Sequence, residues 1–285
     1  MNIEFELQQV GERTVAIIDQ ENLRSNAGAV ALENFVVAID PTMKPPAARA
    51  FRQKLESQFG LPVKFLLVTH YHADHVFGVA PFKDTCVVGS TELVANILKR
   101  KDTEWSPKAI ERWKQNNPDD DTGWLDEVEI IIPTLSFEDR LEIHDGDQVV
   151  EFYHAGGHTS CSTYAYAPHE KVLFAGDLMF AEGFPYAGDS TCDPDRWMDA
   201  FREMLSLDFE KLVPGHGPVV EKDKVEKHLA FFEALRDATK EAIRADKGSE
   251  AIQIPEFYGS NEEESPWIKV TLKHWYTFYK DAGED

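Results

Sequence analysis

Short stretches of alternating hydrophobic and polar residues recur along the chain, and this pattern predicts β-strands. Residues 3–18 predict a pair of strands, and residues 26–40 predict a second hairpin that ends at Asp40. The apolar run over 63–70 is continuous, which is typical of a strand that is buried on both faces. A further strand is predicted over 84–90. The first third of the chain therefore predicts a sheet that is covered by helices.

Apolar positions three and four residues apart predict helices in the rest of the chain. Residues 45–60 begin with proline and end with glycine, and these residues mark the two ends of a helix. Residues 91–127 are charged and contain several tryptophans, and they predict a helical insertion. Strand patterns return after the insertion and continue to Asp177. The last segment, 221–285, predicts a C-terminal helical extension, and we expect one domain over 1–285.

Composition and charge restrict the function more than the fold. The chain of 285 residues has a net charge of −22, which argues against nucleic acids and anionic membranes as partners. Its three cysteines are widely spaced, which argues against a disulfide framework or a zinc site of paired cysteines. No apolar run is long enough to cross a bilayer, and the first residues do not resemble a signal peptide. We therefore expect a cytoplasmic protein with a small-molecule substrate, and a homodimer remains open.

The segment THYHADH at 69–75 is the strongest candidate for chemistry. It places His70, His72, Asp74 and His75 directly after the continuous apolar strand. His70 and His72 are two residues apart, so their side chains point the same way in an extended segment. Asp74 and His75 follow where the chain turns and can face a neighbouring point. Imidazole and carboxylate ligands suit zinc, iron or manganese, and the spacing predicts two metal ions side by side.

One turn cannot supply every ligand of two metal ions, so we expect further ligands in loops after other strands. His158 lies in a loop rich in glycine, Asp177 follows an apolar strand and a glycine, and His216 lies between two glycines. Glycine gives the backbone the freedom to place such side chains close to a shared site. His154 lies within a strand pattern and is a weaker candidate than His158.

This ordered set of residues resembles the metallo-β-lactamase-fold hydrolase superfamily. The resemblance covers about residues 12–220 and includes Asp40, which matches an aspartate that supports the site structurally. It implies an α+β fold, an αββα four-layer sandwich with a helical insertion and C-terminal helices. In having Asp177, the chain resembles glyoxalase II, the N-acyl-homoserine lactonases and the RNase Z-like nucleases, in which an aspartate bridges two metal ions.

The resemblance also implies which residues are ligands of two divalent metal ions per chain. The first ion is held by His70, His72 and His158, the second by Asp74, His75 and His216, and Asp177 bridges both. Zinc is the expected metal, with iron or manganese as alternatives. Asp74 is in addition a candidate catalytic residue, because it can orient a water molecule or relay its proton.

The implied activity is hydrolysis of a carboxylic ester, thioester or lactone by metal-bound hydroxide, with a β-lactam as a side substrate. A phosphodiesterase or nuclease of the same fold is the main alternative, and the charge of −22 counts against polyanionic substrates. A metal-binding scaffold or sensor without catalysis is a third interpretation. A complete set of hydrolytic ligands counts against that interpretation.

The substrate pocket is less well defined by the sequence than the metal site. Phe184 and Tyr186 follow Asp177 in a loop that must pass the metals, so they are candidates to contact substrate. Trp105 in the insertion and Cys161 in the glycine-rich loop are further candidates. Both also have an interpretation as packing residues, because tryptophan and cysteine side chains are commonly buried. The insertion itself is a lid, a packing element or a dimer contact.

Overall fold

The computed structural model describes residues 4–18, 23–116, 122–256 and 266–283. These residues form two β-sheets that pack face to face, with helices against the outer face of each sheet. The chain therefore has the α+β, four-layer αββα architecture that the sequence predicted. No helix within these ranges has both the length and the apolar character that a membrane crossing requires.

The first sheet contains seven strands from the first half of the described chain. In their order within the sheet they are β1 (Gln8–Gln9), β2 (Thr14–Ile17), β3 (Ala27–Ala31), β4 (Val36–Ile39), β5 (Val63–Leu67), β6 (Cys86–Ser90) and β7 (Leu135–Phe137). Strands β1 to β4 pair antiparallel, whereas β4 to β7 pair parallel. The carboxyl ends of β4, β5 and β6 consequently lie at one edge of the sheet, where sites are commonly built.

The second sheet contains five strands from the second half. In chain order they are β8 (Arg140–Asp145), β9 (Gln148–His154), β10 (Thr163–Ala167), β11 (Val172–Phe180) and β12 (Lys211–His216). Each strand pairs with the strands before and after it in this list, so the sheet keeps the order of the chain. Only β11 and β12 pair parallel, so their carboxyl ends also share one edge. Strands β10 and β11 are buried along their whole length, which explains their continuous apolar sequences.

Helices form the two outer layers. They are α1 (Pro45–Phe59), α2 (Ala73–Val76), α3 (Thr91–Arg100), α4 (Pro107–Asn116), α5 (Pro194–Ser206), α6 (Lys222–Arg244) and α7 (Pro266–Asp281). Buried residues of α1 and α3 pack against the first sheet, and those of α5, α6 and α7 pack against the second. Helix α1 begins at Pro45 and ends before Gly60, whose φ of 64° is the left-handed conformation that favours glycine.

The core between the sheets consists of apolar side chains from both. Val37 and Leu67 in the first sheet, and Phe152 and Phe174 in the second, are almost fully buried in one cluster. Burial of such side chains contributes about 1.5–3 kcal/mol each relative to exposure. This core fixes the two sheets against each other, and the strand ends that carry the candidate ligands meet at one edge of the sandwich.

The predicted strand directly after the insertion is wrong over its first part. Residues 128–134 lie outside any strand, and β7 begins only at Leu135. Pro133 interrupts this segment, and proline has no amide hydrogen to continue a ladder. Val128, Ile130 and Ile131 instead pack half-buried beside the first sheet, whereas Ile132 is exposed. The alternation in the sequence therefore reflects packing of an irregular segment.

Candidate metal centre

Four candidate ligands lie where the chain leaves the first sheet after β5. The amide of Val68 still donates to the carbonyl of Val88 over 2.9 Å, and beyond this point the chain turns away from the sheet. His72 is extended and directly precedes α2. The ring centroids of His70 and His72 lie 4.7 Å apart. The extended backbone therefore directs both rings to one side, as their spacing predicted.

The other three candidate ligands come from the second sheet. His158 follows β9, His216 is the last residue of β12, and Asp177 lies within β11, where the pairing with β12 is irregular. Gly176 precedes Asp177 with a φ of 51°, and a Cβ added there would lie 2.7 Å from Thr69 Oγ1. Only glycine lets the two sheets approach so closely at this point.

The structure brings the seven predicted residues together in two groups that share Asp177. Candidate ligand atoms in each group lie within 4.8 Å of one another. The first ligand group is His70, His72, His158 and Asp177, and the second ligand group is Asp74, His75, His216 and Asp177. Oδ2 of Asp177 lies 3.5 Å from His158 Nε2, whereas Oδ1 lies 3.3 Å from His216 Nε2. One carboxylate oxygen therefore faces each group.

Outer contacts orient the ligand rings. Asp40 Oδ2 lies 2.8 Å from His75 Nδ1, so His75 turns Nε2 toward Asp177. Asp40 in turn accepts hydrogen bonds from the amide and the hydroxyl of Thr69, over 2.8 and 2.7 Å. Asp40 thus contacts both Thr69 and His75, and such contacts suit the structural support of the site that the resemblance implied for it.

His158 has a comparable outer contact. Its Nδ1 lies 3.0 Å from the carbonyl oxygen of Tyr186, which can only accept a hydrogen bond. Nδ1 therefore carries the hydrogen, and Nε2 presents its lone pair to the first ligand group. A neutral imidazole in this tautomer is the form that binds metal ions.

Three atoms that face the interior of these groups indicate that the groups fit metal ions. His70 Nε2 is buried, and none of the residues that the structure describes forms a hydrogen bond with it. His75 Nε2 and Asp177 Oδ1 are also buried and lie 3.0 Å apart without the alignment of a hydrogen bond. A buried polar atom without a partner costs about 1–3 kcal/mol. Divalent cations between these atoms would satisfy all three. The mixture of imidazole and carboxylate donors suits such ions.

The two groups differ in their proton affinity. Burial lowers the pKa of His70 well below its ordinary value and lowers the pKa of His158 to about 3. Burial also acts to lower the pKa of His216, but the carboxylates of Asp177 and Asp74 outweigh it and raise the pKa to about 10. The same balance, with Asp177 and Asp40, raises the pKa of His75. Without metal at neutral pH, His70 and His158 are therefore neutral, whereas His75 and His216 hold protons.

The site opens to solvent on one side. The side chains of Asp74 and His216 are 25% and 27% exposed, whereas those of His70, His75 and His158 are buried. The ring of Phe180 stacks on His216 with centroids 5.2 Å apart. Asp74 Oδ2 lies 3.4 Å from His216 Nε2. A substrate or water molecule therefore reaches the site beside Asp74.

Tyr186, one of the predicted pocket residues, lies against the site. Its ring centroid is 6.2 Å from those of both His72 and His158. Phe184 lies in the same loop but packs against Phe231 of α6, with centroids 5.6 Å apart. The two side chains therefore lie in different surroundings.

Trp105 and Cys161 are buried, which favours the packing interpretation that the sequence also allowed for them. Trp105 is only 8% exposed and packs against Tyr71 and Phe77. Cys161 is fully buried, and its Sγ lies 3.3 Å from the hydroxyl of Thr159. Burial raises the pKa of the Cys161 thiol to about 12, so it is not a reactive thiolate.

The sequence patterns made His154 a weaker candidate than His158 and did not identify Asp189. The two ring nitrogens of His154 contact the carbonyls of Glu138 and Ser160, so this residue lies outside both ligand groups. Asp189 lies 3.3 Å from His72 Nε2. The one local signal is the sequence DST, because an aspartate two residues before a threonine favours a turn. Nothing in the sequence connects that turn to a histidine 117 positions earlier.

The chain belongs to the metallo-beta-lactamase superfamily. The model of that family matches residues 21–216, which include every candidate ligand. Divalent metal ions are bound by this fold family, and the two ligand groups are suited to them. The fold and the arrangement of the candidate ligands agree with this membership.

Similar proteins have diverse described activities. The chain is 26% identical over 224 residues to the 2,4-dinitroanisole O-demethylase subunit alpha of Nocardioides sp. (strain JS1661), covering 76% of this chain and 60% of that protein. It is 27% identical over 169 residues to the hydroxyacylglutathione hydrolase of Brucella ovis, covering 58% and 52%. The chain thus spans between about half and two thirds of these curated relatives.

A solved structure shows the fold over more of the chain. A double mutant of the sec-alkyl sulfatase PisA1 superposes with a TM-score of 0.73 at 14% sequence identity. The superposition covers 96% of this chain and 50% of that chain. The similarity therefore extends beyond the residues that the family model matches, into the C-terminal helices.

Proposed function

We propose that this protein is a dinuclear metal-dependent hydrolase that cleaves a carboxylic ester, a thioester or a lactone. The observation that carries the proposal is the pair of ligand groups that share Asp177, with one carboxylate oxygen directed to each group. A site for one metal ion would need only one of these groups, so the second group favours two ions. A scaffold or sensor without catalysis needs no opening to solvent beside Asp74, so the opening favours catalysis.

The proposed ligands are the seven residues of the two groups, and zinc is the proposed metal. When bound, two such ions lower the pKa of a water molecule and polarise the carbonyl oxygen of a substrate. Asp74 lies at the opening, and the neighbouring His75 and His216 lower the pKa of its carboxyl group despite the opposing effect of burial. Its carboxylate is therefore ionised and available to orient a water molecule or to relay its proton.

The proposed binding surface for the rest of the substrate is aromatic. Tyr186 lies beside His72 and His158, and the ring of Trp267 lies 4.8 Å from that of Tyr186. Trp267 is 52% exposed at the start of α7. An acyl or aryl group is suited to such a surface, because aromatic side chains provide a large apolar contact area.

One panel of substrates tests the proposal. It contains aryl esters, thioesters, acyl lactones, nitrocefin and bis-p-nitrophenyl phosphate, each with zinc, manganese and iron. We expect turnover of the carbonyl compounds and its loss in the double variant His70→Ala, His72→Ala. Turnover of the phosphodiester alone would contradict the proposal and favour the phosphodiesterase alternative, which the charge of −22 disfavours.

An aryl methyl ether completes the panel. The Nocardioides relative is described as a 2,4-dinitroanisole O-demethylase, and it matches 76% of this chain. Cleavage of 2,4-dinitroanisole without any cleavage of the carbonyl compounds would reassign the substrate class while leaving the metal site in place.

A further inference from the structure

His72 faces the first ligand group with one ring nitrogen and a carboxylate with the other. Its Nδ1 lies 3.0 Å from His158 Nε2, the atom that presents its lone pair to the group. Its Nε2 lies 3.3 Å from Asp189 Oδ2 on the opposite side. A carboxylate accepts hydrogen bonds and cannot donate them, so this contact requires a hydrogen on Nε2. A hydrogen on Nδ1 could instead donate to His158 Nε2, but the bond from Nε2 to the ionised carboxylate is the stronger of the two, so Nδ1 keeps its lone pair for a metal ion.

Asp189 is itself held firmly in this position. Its Oδ1 accepts hydrogen bonds from the amide and the hydroxyl of Thr191, over 2.7 and 2.5 Å. Its Oδ2 accepts a hydrogen bond from the hydroxyl of Tyr71 in addition to the contact with His72. The side chain is only 10% exposed. The carboxylate is therefore fixed by contacts that do not involve His72.

The insertion contributes to this arrangement through Tyr71. The guanidinium of Arg100 lies over the Tyr71 ring, 3.8 Å from its centroid. Arg100 is buried at the end of α3, and its Nη1 donates to Asn96 Oδ1 over 2.7 Å. Helix α3 thus packs against the residue that bonds Asp189, and the metal site rests on the insertion from this side.

We propose that Asp189 is a positioning residue that holds His72 in the tautomer with hydrogen on Nε2 and directs Nδ1 to the metal ion. This inference rests on the proposed metal site, because it gives Asp189 a role only through His72. Partners of this kind keep a histidine ligand in one orientation, and their loss typically weakens metal binding by about 10- to 100-fold.

The rival explanation is that Asp189 only fastens its own loop through Thr191 and Tyr71. The variant Asp189→Asn separates the two explanations. The amide of Thr191 is an obligatory donor, so it keeps the asparagine oxygen on its side and places the side-chain NH₂ group opposite His72. That donor requires a lone pair on His72 Nε2, which moves the hydrogen to Nδ1. The loop stays fastened while the ligand atom is blocked.

The first measurement is a competitive metal titration of the wild-type protein, Asp189→Asn and Asp189→Ala. We expect one of the two zinc ions to bind Asp189→Asn about 10- to 100-fold more weakly, and the other to bind with little change. Asp189→Ala is expected to lose less zinc affinity than Asp189→Asn, because alanine does not force the hydrogen of His72 onto Nδ1. The matched control is Asp193→Asn, which removes a charge from the same loop but keeps a good cap for α5.

The second measurement needs neither metal nor activity. Nitrogen NMR of metal-free protein, at a pH well above the ordinary histidine value of about 6.5, reports the tautomer of each ring. The signal of His72 is assigned by its loss in His72→Ala. We expect hydrogen on Nε2 in the wild-type protein and on Nδ1 in Asp189→Asn.

Two results would overturn the inference. One is unchanged affinity for both ions in Asp189→Asn, and the other is a His72 tautomer that does not respond to the substitution. If the wild-type protein binds no metal, the proposed function fails. The NMR measurement still decides whether Asp189 sets the tautomer, so the two failures are distinguishable.

Discussion

The buried histidines of the two ligand groups have outer contacts on the side that faces away from the site. His75 contacts Asp40, His158 contacts the carbonyl of Tyr186, and His72 contacts Asp189. Each contact determines which ring nitrogen is directed inward. In the proposed metal site, these outer contacts would hold the ligand rings in place before a metal ion binds.

Metal binding at the second ligand group is expected to release a proton from His216 near neutral pH. Its pKa is raised to about 10, so the metal-free protein holds that proton, whereas a ligand must be neutral. The release should decrease as the pH rises toward 10. His158, with a pKa of about 3, has no proton to release at neutral pH.

Calorimetric titration of zinc in buffers with different ionisation enthalpies measures the released protons. His216→Ala should release about one proton fewer and bind about one ion fewer than the wild-type protein. His144→Ala is the matched control, because His144 is exposed, lies outside both ligand groups and pairs with Glu142 on the surface. A binding enthalpy that is independent of the buffer would contradict this prediction.

The strands and their connecting loops set the distances between the ligands. Strands β5, β11 and β12 end at the same edge, and the close contact between them depends on glycine. A Cβ added at Gly215 would lie 2.0 Å from Asp177 Oδ1 and 2.7 Å from the carbonyl carbon of Gly176. Real Cβ atoms do not approach other atoms so closely, so a side chain at position 215 must displace the shared ligand.

Gly215→Ala is therefore expected to weaken binding of both ions, because Asp177 belongs to both ligand groups. We expect a loss of at least about 10-fold in zinc affinity, measured by competition with a chelator. The matched control is Gly60→Ala, where a Cβ would meet no atom within 4 Å. That control costs about 1–2 kcal/mol of stability for its left-handed backbone. Equal zinc affinity in the two variants would contradict the steric argument.

The insertion stabilises the fold through Trp105. The side chain fills space beside Tyr71 and Phe77, and removal of a buried tryptophan typically costs about 3–5 kcal/mol. Trp105→Ala should therefore lower the free energy of unfolding by about this amount in denaturant titrations. The exposed Trp267→Ala should change it far less. A small effect at Trp105 would mean that the insertion covers the site without packing against it.

At the scale of the whole molecule, the ligands come from both sheets and their distances depend on how the sheets pack. Local sequence patterns predicted most strands, most helices and the candidate ligand residues that the structure brings together, because spacing and flanking glycines are local properties. They could not separate Phe184 from Tyr186, since Phe184 packs against Phe231 of α6, which is distant in the sequence. They could not find Asp189 either, because its partner comes from the other half of the chain.

The number of metal ions per chain tests the account most directly. Elemental analysis of protein purified without added metal should give close to two ions per chain, and about one in His216→Ala. Removal of the ions by a chelator should also lower the melting temperature, because ligands that bind only the native state stabilise it by mass action. A wild-type protein that is active and stable with no bound metal, or with one ion only, would contradict the shared role of Asp177.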